Sequence, residues 1–147
     1  MGGVRLEVGE EFSTAGVTVT EAHIVSFAGV TGDFNPVHMS EEYASKTIFK
    51  RRVAHGMLTL SLALGMLTGI DAFEGTILYG FDKVRFTKPV FPGDTVRARF
   101  KVAEKGEKAG MTLLKLKLEV ENQRGELVLA AEVLVLCREQ LTHHRSP

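Results

Sequence analysis

The chain has 147 residues, 44% of them hydrophobic, and its 18 basic side chains balance 18 acidic ones. This length and composition predict a single globular domain over residues 1–147. A formal net charge of zero gives no electrostatic support for nucleic-acid binding. The single cysteine, Cys137, excludes an internal disulfide and fits a reducing compartment, and the N-terminus lacks a signal-peptide pattern. We therefore expect a cytoplasmic location.

Two helices are predicted in the first third of the chain. Thr20 is a suitable cap for a helix over residues 21–31, which Gly32 would end. Its apolar stripe at the 3.6-residue period consists of Ile24, Phe27, Ala28 and Thr31. Ser40 is a suitable cap for a short second helix, because Glu41 and Glu42 have the charge that a helix start favours.

A third, longer helix is predicted from about Gly56 to Ile70. The run from Val53 to Ile70 contains no charged residue, but it includes a histidine, a serine, two threonines and three glycines. A buried helix is therefore favoured over a membrane span, and we expect no membrane partner. A helix that is apolar on nearly every side must be covered by other protein, and a curved sheet is the usual cover.

Antiparallel strands are predicted for the second half of the chain. Residues 96–102 and 114–120 alternate between apolar and polar side chains, which is typical of strands with one wet face. The hairpin turn Asn122 to Gly125 then leads to a strand over residues 127–136 that is apolar on both faces and therefore predicted to be central. The apolar alternation within residues 76–86 changes phase near Lys83, which indicates a β-bulge. The tail over residues 142–147 is expected to fray.

The segment from Thr31 to His38 is predicted to be an irregular loop that carries chemistry. Pro36 has no N–H and moves Asn35 out of the helical region, so neither a helix nor a strand is expected here. The segment places the carboxylate of Asp33 five residues before the imidazole of His38. Polar loops held by rigid neighbours often carry reactive side chains. Two plainer interpretations remain open, namely that Asp33 is a turn residue bonded to its own backbone and that His38 is structural.

Three ordered motifs in this chain resemble the (R)-specific enoyl-CoA hydratases, the MaoC-like dehydratases of the hotdog fold. The first motif is filled by Phe27, Ala28, Thr31, Gly32, Asp33, Asn35, Pro36 and His38. The second is filled by Ala54, His55, Gly56, Met57 and Leu58, and the third is the segment Phe86 to Asp94. Three motifs at the right spacing are more specific than any one alone. The resemblance implies an α+β hotdog fold, an antiparallel sheet wrapped around a long central apolar helix.

The resemblance also implies roles for three positions. Hydration of an enoyl thioester requires proton transfer to and from the substrate, for which a carboxylate and an imidazole that share one water are suited. Asp33 and His38 occupy the matching positions, and which is the acid and which the base stays open. The backbone N–H of Gly56, at a helix N-terminus, would stabilise the charge on the thioester oxygen, and a glycine would allow that thioester to approach closely.

Four further residues are candidates for binding or orienting the substrate: Asn35, His55, Ser61 and Leu64. Asn35 is expected to shape the loop or orient His38. His55 is expected to hold nearby backbone and not a metal ion, because Thr59 stands where a second histidine ligand would be wanted. Several bacterial relatives carry a serine at the position of Leu64, so the pocket is expected to be more apolar there, and Ser61 is a possible substitute one turn earlier.

The predicted function is the reversible hydration of a trans-2-enoyl-CoA to an (R)-3-hydroxyacyl-CoA by a homodimer or higher homo-oligomer. No cofactor or metal is expected, because coenzyme A is part of the acyl-CoA substrate. Three alternatives remain open: a 3-hydroxyacyl-ACP dehydratase, a hotdog thioesterase and a non-catalytic acyl-CoA-binding module. The basic cluster Lys50, Arg51 and Arg52 either meets coenzyme A phosphates or is ordinary solvated surface.

Overall fold

The computed structural model describes residues 6–138, in which an antiparallel sheet curves around one helix. In chain order the elements are β1 (Glu11–Ser13), β2 (Val17–Thr18), α1 (Glu21–Thr31), α2 (Pro36–Met39), α3 (Glu41–Ser45), α4 (Gly56–Thr68), a 3-10 helix (Asp71–Phe73), β3 (Ile77–Phe86), β4 (Thr95–Lys108), β5 (Met111–Glu121) and β6 (Leu127–Cys137). The main sheet has the order β1-β4-β5-β6-β3, and β2 pairs with the start of β4. The tail predicted to fray, residues 142–147, lies outside the described residues.

The boundaries of α1 and α3 follow from their caps, as predicted. The side chain of Thr20 accepts a hydrogen bond from the N–H of His23, and Gly32 adopts a left-handed conformation with φ 78°. The N–H of Gly32 donates to Ala28 O at 2.8 Å, which satisfies a carbonyl at the helix end. Ser40 caps α3 by accepting from the N–H of Tyr43 at 3.1 Å.

The prediction that residues 31–38 contain no helix is wrong. Residues Pro36–Met39 form the one-turn helix α2, whose N-cap is Asn35. The side-chain oxygen of Asn35 accepts from Val37 N–H at 3.3 Å. A proline in the first turn costs no helical hydrogen bond and its fixed φ suits a helix, so Asn35 and Pro36 start a helix here instead of preventing one. His38 therefore lies on a helical turn and not on a loop.

The sheet packs one face against α4. The side chains buried on β4 and β5 alternate with exposed or half-buried ones, as predicted; they are Val96, Ala98, Phe100, Val102, Thr112, Leu114, Leu116, Leu118 and Val120. Strand β6, which is predicted to be central, lies inside the sheet between β5 and β3, but the middle strand of the sheet order is β5. The predicted bulge is confirmed by a register shift between Asp82 and Arg85, where Lys83 has φ 52°.

Helix α4 is buried on one side only. Its buried side chains belong to the core: Leu58, Thr59, Leu60, Ala63 and Leu67. Met57, Ser61, Gly65 and Thr68 form an exposed side, so residues 6–138 cover the central helix incompletely. The helix ends at Thr68, two residues before the predicted end. Within residues 6–138, no helix has both the length and the apolar character needed to cross a membrane.

A cluster of polar side chains around Glu126 holds the turn between β5 and β6. The carboxylate of Glu126 accepts from Lys88 Nζ at 2.6 Å, from Asn122 Nδ2 at 3.0 Å and from Arg124 Nε at 2.7 Å. The hydrogen bond from Lys88, followed by those from Asn122 and Arg124, lowers the pKa of Glu126 from its ordinary 4.5 to about 2. Because the carboxylate binds protons less readily when the protein is folded, its charged form stabilises the fold.

We expect Glu126→Gln to lower the melting temperature at pH 7, and we expect this difference to shrink in acid. The stabilisation from Glu126 is complete above its unfolded pKa near 4.5 and is lost as the pH falls toward its folded pKa near 2. Thermal unfolding of both proteins from pH 7 to pH 2 measures this difference. Glu74→Gln is the control, since Glu74 is exposed and has no ion-pair partner among the described residues. A difference that stays constant down to pH 2 would contradict the prediction.

Candidate active site

Asp33 and His38 face each other across a gap at the end of α1. His38 Nε2 lies 4.0 Å from Asp33 Oδ2, and their side chains are 12% and 51% exposed. The other carboxylate oxygen, Oδ1, accepts from Asn35 N–H at 3.2 Å, so Asp33 is also the turn residue that its sequence context allows. The distance of 4.0 Å is too long for a direct hydrogen bond, but a single water between the two groups can bridge it.

The tautomer of His38 is set by the backbone. His38 Nδ1 lies 2.7 Å from the carbonyl oxygen of Val53, and a carbonyl can only accept, so Nδ1 carries the proton and donates it. In the neutral ring, Nε2 therefore has a free lone pair on the side of Asp33. This is the arrangement in which an imidazole can take a proton from a water molecule.

His55 supports both members of this pair. Its Nε2 donates to the backbone carbonyl of Asp33 at 2.9 Å, and its ring stacks on the ring of His38 at a centroid distance of 3.9 Å. The rings of Phe27 and His55 pack edge to face, with their centroids 5.0 Å apart. His55 is 2% exposed, and its Nδ1 is buried without a hydrogen-bond partner in the described part of the chain. These contacts are those expected of a histidine that holds nearby backbone.

Asp33, His38 and His55 also bring three possible metal-ligand atoms within 4.8 Å of one another. The sequence offered no second histidine near His55, and the fold supplies one from α2. However, an imidazole lone pair lies in the plane of its ring. Two rings stacked 3.9 Å apart with planes 27° from parallel cannot both aim a lone pair at one ion about 2.0–2.1 Å away. The stacked arrangement therefore suits a proton-transfer site better than a metal site.

The N-terminus of α4 lies directly after His55 in the chain. Leu58 N–H and Thr59 N–H both donate to the carbonyl of His55, whereas no acceptor for Gly56 N–H or Met57 N–H is found among residues 6–138. Unpaired N–H groups at a helix start carry the positive end of the helix dipole. This end of α4 is therefore suited to an oxygen that develops negative charge.

The structure supplies a reason for Gly56 that the sequence did not show. A Cβ atom built on Gly56 would lie 2.8 Å from Cε1 and 2.9 Å from Cδ1 of Phe86. The aromatic ring of Phe86, on β3, thus packs directly on the glycine. Phe86 is 51% exposed and borders the candidate site. The sequence places Phe86 in a motif but indicates no contact for it, because only the packing of β3 on α4 brings the two residues together.

The two remaining predicted residues lie further along α4. Ser61 and Leu64 follow Gly56 by five and eight residues, which corresponds to about 7.5 Å and 12 Å along the helix axis. Ser61 is on the exposed side, and its hydroxyl donates to Met57 O at 2.7 Å. Leu64 is half buried and packs against the core. The structure thus gathers Asp33, Asn35, His38, His55 and Gly56, and it does not bring Ser61 or Leu64 into contact with that group.

The sequence matches the model of the MaoC like domain over residues 5–123. The chain is also 33% identical to the (R)-specific enoyl-CoA hydratase of Aeromonas caviae, over 92% of this chain and 98% of that protein. The chain belongs to the MaoC-like family of hydratases and dehydratases. Another member, Protein MaoC of Klebsiella aerogenes, is 37% identical over 95 residues, and the matched part spans only 28% of its length.

Solved structures of similar proteins share the fold. An (R)-hydratase from Aeromonas caviae involved in PHA biosynthesis superposes with a TM-score of 0.78 at 33% identity, covering 88% of this chain and 96% of that one. A protein described as a monoamine oxidase regulatory protein from Archaeoglobus fulgidus superposes with a TM-score of 0.85 at 42% identity, covering 94% of both chains. The predicted α+β hotdog fold is therefore confirmed.

We expect the effect of Gly56→Ala on stability to change sign with the residue at position 86. In the wild type the new methyl group meets the Phe86 ring, and overpacking of this kind costs about 1 kcal/mol when the neighbour is half exposed and can move. In a Phe86→Ala background the clash is absent, and alanine is then neutral or better than glycine by up to about 1 kcal/mol. Urea unfolding of the four proteins measures both effects. Equal costs in the two backgrounds would show that Phe86 does not restrict position 56.

Proposed function

We propose that this chain catalyses the reversible hydration of a trans-2-enoyl-CoA to an (R)-3-hydroxyacyl-CoA. The observation that carries the proposal is the gap of 4.0 Å between Asp33 Oδ2 and His38 Nε2, next to a helix start whose first N–H groups have no acceptor in the described part of the chain. The names of relatives support it, since the Aeromonas caviae protein that matches nearly end to end is an (R)-specific enoyl-CoA hydratase.

In the proposed mechanism one water lies between Asp33 and His38. As the water oxygen attacks C3 of the enoyl thioester, the pair removes a proton from the water and delivers a proton to C2. Negative charge grows on the thioester oxygen during this step, and the N–H of Gly56 stabilises it with a hydrogen bond and the helix dipole. Because the two side chains exchange protons through one water, the assignment of acid and base belongs to the pair.

The remaining roles in the proposal concern the substrate. Asn35 caps the turn that carries His38, and His55 orients both members of the pair. Ser61 and Leu64 line the acyl path along α4, where the larger Leu64 favours short acyl chains. No metal or cofactor takes part, because coenzyme A enters as part of the substrate. A cytoplasmic location is also proposed, in keeping with the single free thiol.

A regulatory acyl-CoA-binding protein is the second candidate. One observation favours it, namely the 42% identity to a protein described as a monoamine oxidase regulatory protein. Binding alone does not need a carboxylate and an imidazole across a water-sized gap, which is why we prefer the enzyme. Loss of the absorbance of crotonyl-CoA on addition of the purified protein distinguishes the two candidates, since a binding protein leaves the enoyl thioester unchanged. Enoyl-ACP substrates in the same assay test the choice of carrier.

We expect Asp33→Asn to lower kcat for crotonyl-CoA by about 10²–10⁴-fold while the protein stays folded, since a general acid–base group is lost from a half-exposed position. His38→Ala should behave alike, and the double variant should be little worse than either single one, because the two side chains act as a unit. Initial rates of hydration, with circular dichroism as a check of folding, measure these effects.

Asp71→Asn is the matched control for these rates, because Asp71 is an exposed aspartate beyond the far end of α4. Its variant should retain wild-type rates. Wild-type turnover in Asp33→Asn would remove Asp33 from the mechanism. Slow turnover in every variant, the control included, would show that general destabilisation and not lost proton transfer is responsible.

We also propose that the chain forms a homodimer or higher homo-oligomer. Strand β3 is an outer strand of the sheet, and its residues Ile77, Leu78 and Tyr79 are all about half exposed. The exposed side of α4 adds Met57 to the uncovered apolar surface. An open sheet edge with apolar side chains is a usual place for pairing with another chain. A second copy would cover both surfaces.

Light scattering at micromolar concentration should therefore give a mass at least twice the 16.1 kDa of one chain. Leu78→Lys should shift the mass toward the single-chain value, because a charged side chain would be placed in the apolar contact. Val8→Lys is the control, since Val8 is exposed and apolar but precedes β1 at the opposite edge of the sheet. A wild-type mass near 16.1 kDa would contradict the proposal.

A further inference from the structure

Arg52 joins three helices that surround the candidate site. Its Nη1 and Nη2 donate to the two carboxylate oxygens of Glu21, at the start of α1, at 3.0 Å and 2.5 Å. Its Nε donates to the carboxylate of Glu41, at the start of α3, at 2.6 Å. Nη1 also lies 3.4 Å from the backbone carbonyl of His38, near the end of α2. One guanidinium thus fixes the relative positions of α1, α2 and α3.

The charge and shape of arginine are both needed for these contacts. The side chain of Arg52 is only 15% exposed, and the hydrogen bonds that it donates to Glu21 and then to Glu41 raise the pKa of Arg52 above its ordinary value. The hydrogen bond that Glu41 accepts from Arg52 in turn lowers the pKa of Glu41. A planar guanidinium can hold one carboxylate with two parallel bonds and a second with Nε, whereas an ammonium group is a single point of charge. These contacts hold Arg52 within the protein, which favours a structural role for this side chain over binding of a coenzyme A phosphate.

The segment that begins with Arg52 reaches His38 in two further ways. The next residue, Val53, donates its N–H to Val37 O at 3.2 Å and accepts from His38 Nδ1 at 2.7 Å. Two residues later the ring of His55 stacks on the ring of His38. The segment is also held from the other side, where Ala54 N–H donates to Val90 O at 2.7 Å. The position of Val53 therefore decides whether the His38 ring keeps its hydrogen bond.

We propose that Arg52 is a positioning residue that holds the Val53 carbonyl and α2 in register, so that His38 keeps its proton on Nδ1 and presents Nε2 to Asp33. Without the guanidinium, Glu21 and Glu41 lose their shared partner and repel each other, and α1 and α3 separate around α2. A displacement of about 1 Å is enough to break the bond from His38 Nδ1 to Val53, and misplacement of this size costs about 10²-fold in rate. The expected loss of rate rests on the proposed hydratase function, whereas the expected loss of the hydrogen bond from His38 to Val53 does not.

The test compares Arg52→Gln and Arg52→Lys with the matched control Arg99→Gln. Arg99 is also held by two carboxylates, Glu119 and Glu121, but on strands of the main sheet and with no contact to the three site helices. Two properties are measured well below each melting temperature: kcat and KM for crotonyl-CoA, and the histidine ring signals in long-range ¹H–¹⁵N spectra, with His38 assigned by its loss in His38→Ala.

We expect Arg52→Gln to lower kcat by about 10²-fold with KM little changed, and to replace the single Nδ1–H form of His38 with a mixture of tautomers. Arg52→Lys can bind only one carboxylate, so its kcat and its His38 signals should lie between those of Arg52→Gln and those of the wild type. Arg99→Gln should match the wild type in both measurements. If Arg52→Gln does not fold, Glu41→Gln removes one contact of the clamp and should shift the His38 signals in the same direction.

Two outcomes would overturn the inference. In the first, Arg52→Gln melts at a lower temperature but keeps the wild-type kcat and His38 spectrum, which would make Arg52 purely structural. In the second, KM rises while kcat and the spectrum are unchanged, which would make Arg52 a contact for coenzyme A. If the wild type hydrates no enoyl-CoA, the proposed function fails, and the His38 spectra of the variants still decide the role of Arg52.

Discussion

The hydrogen bond from His38 Nδ1 to the carbonyl of Val53 is the contact on which the candidate site depends. It fixes which ring nitrogen carries the proton, and so leaves Nε2 as the atom that faces Asp33 across 4.0 Å. A carbonyl group in the backbone has no rotamers, so its position is as well defined as the segment that contains it. The position of the proton on the His38 ring is therefore set by the main chain at Val53 and not by another side chain.

That segment, residues 52–55, leads directly into α4 at Gly56 and contacts the site on one side and the sheet-proximal chain at Val90 on the other. The carbonyl of Val53 and the ring of His55 contact His38 and Asp33, whereas the N–H of Ala54 donates to the carbonyl of Val90. Because these contacts share one short piece of chain, the acid–base pair and the helix start cannot move independently. A site that must hold a water and a thioester oxygen at fixed positions benefits from that coupling.

The candidate site also lies at the edge of the covered core. The start of α4 is adjacent to Phe86 on β3, and the exposed side of the helix begins at Met57. The buried side of α4 and the inner face of the sheet hold the fold together, while the exposed side and the β3 edge leave apolar surface at the site. The proposed second copy and the proposed acyl chain would therefore both contact the exposed side of α4 and the β3 edge. Formation of the oligomer would then affect how the substrate reaches the site.

The sequence by itself determined the features that arise from neighbours along the chain. The cap at Thr20, the left-handed turn at Gly32 and the bulge at Lys83 follow from preferences within a few residues, and the motifs identified the family together with Asp33 and His38. The predicted loop over residues 31–38 is wrong at its end, because Pro36 occupies the first position of α2, where a proline favours a helix start. Only the tertiary structure decided the stacking of His38 on His55, the ring of Phe86 on Gly56 and the contacts of Arg52, because these join residues that are distant in the chain and meet only when helices and strands pack.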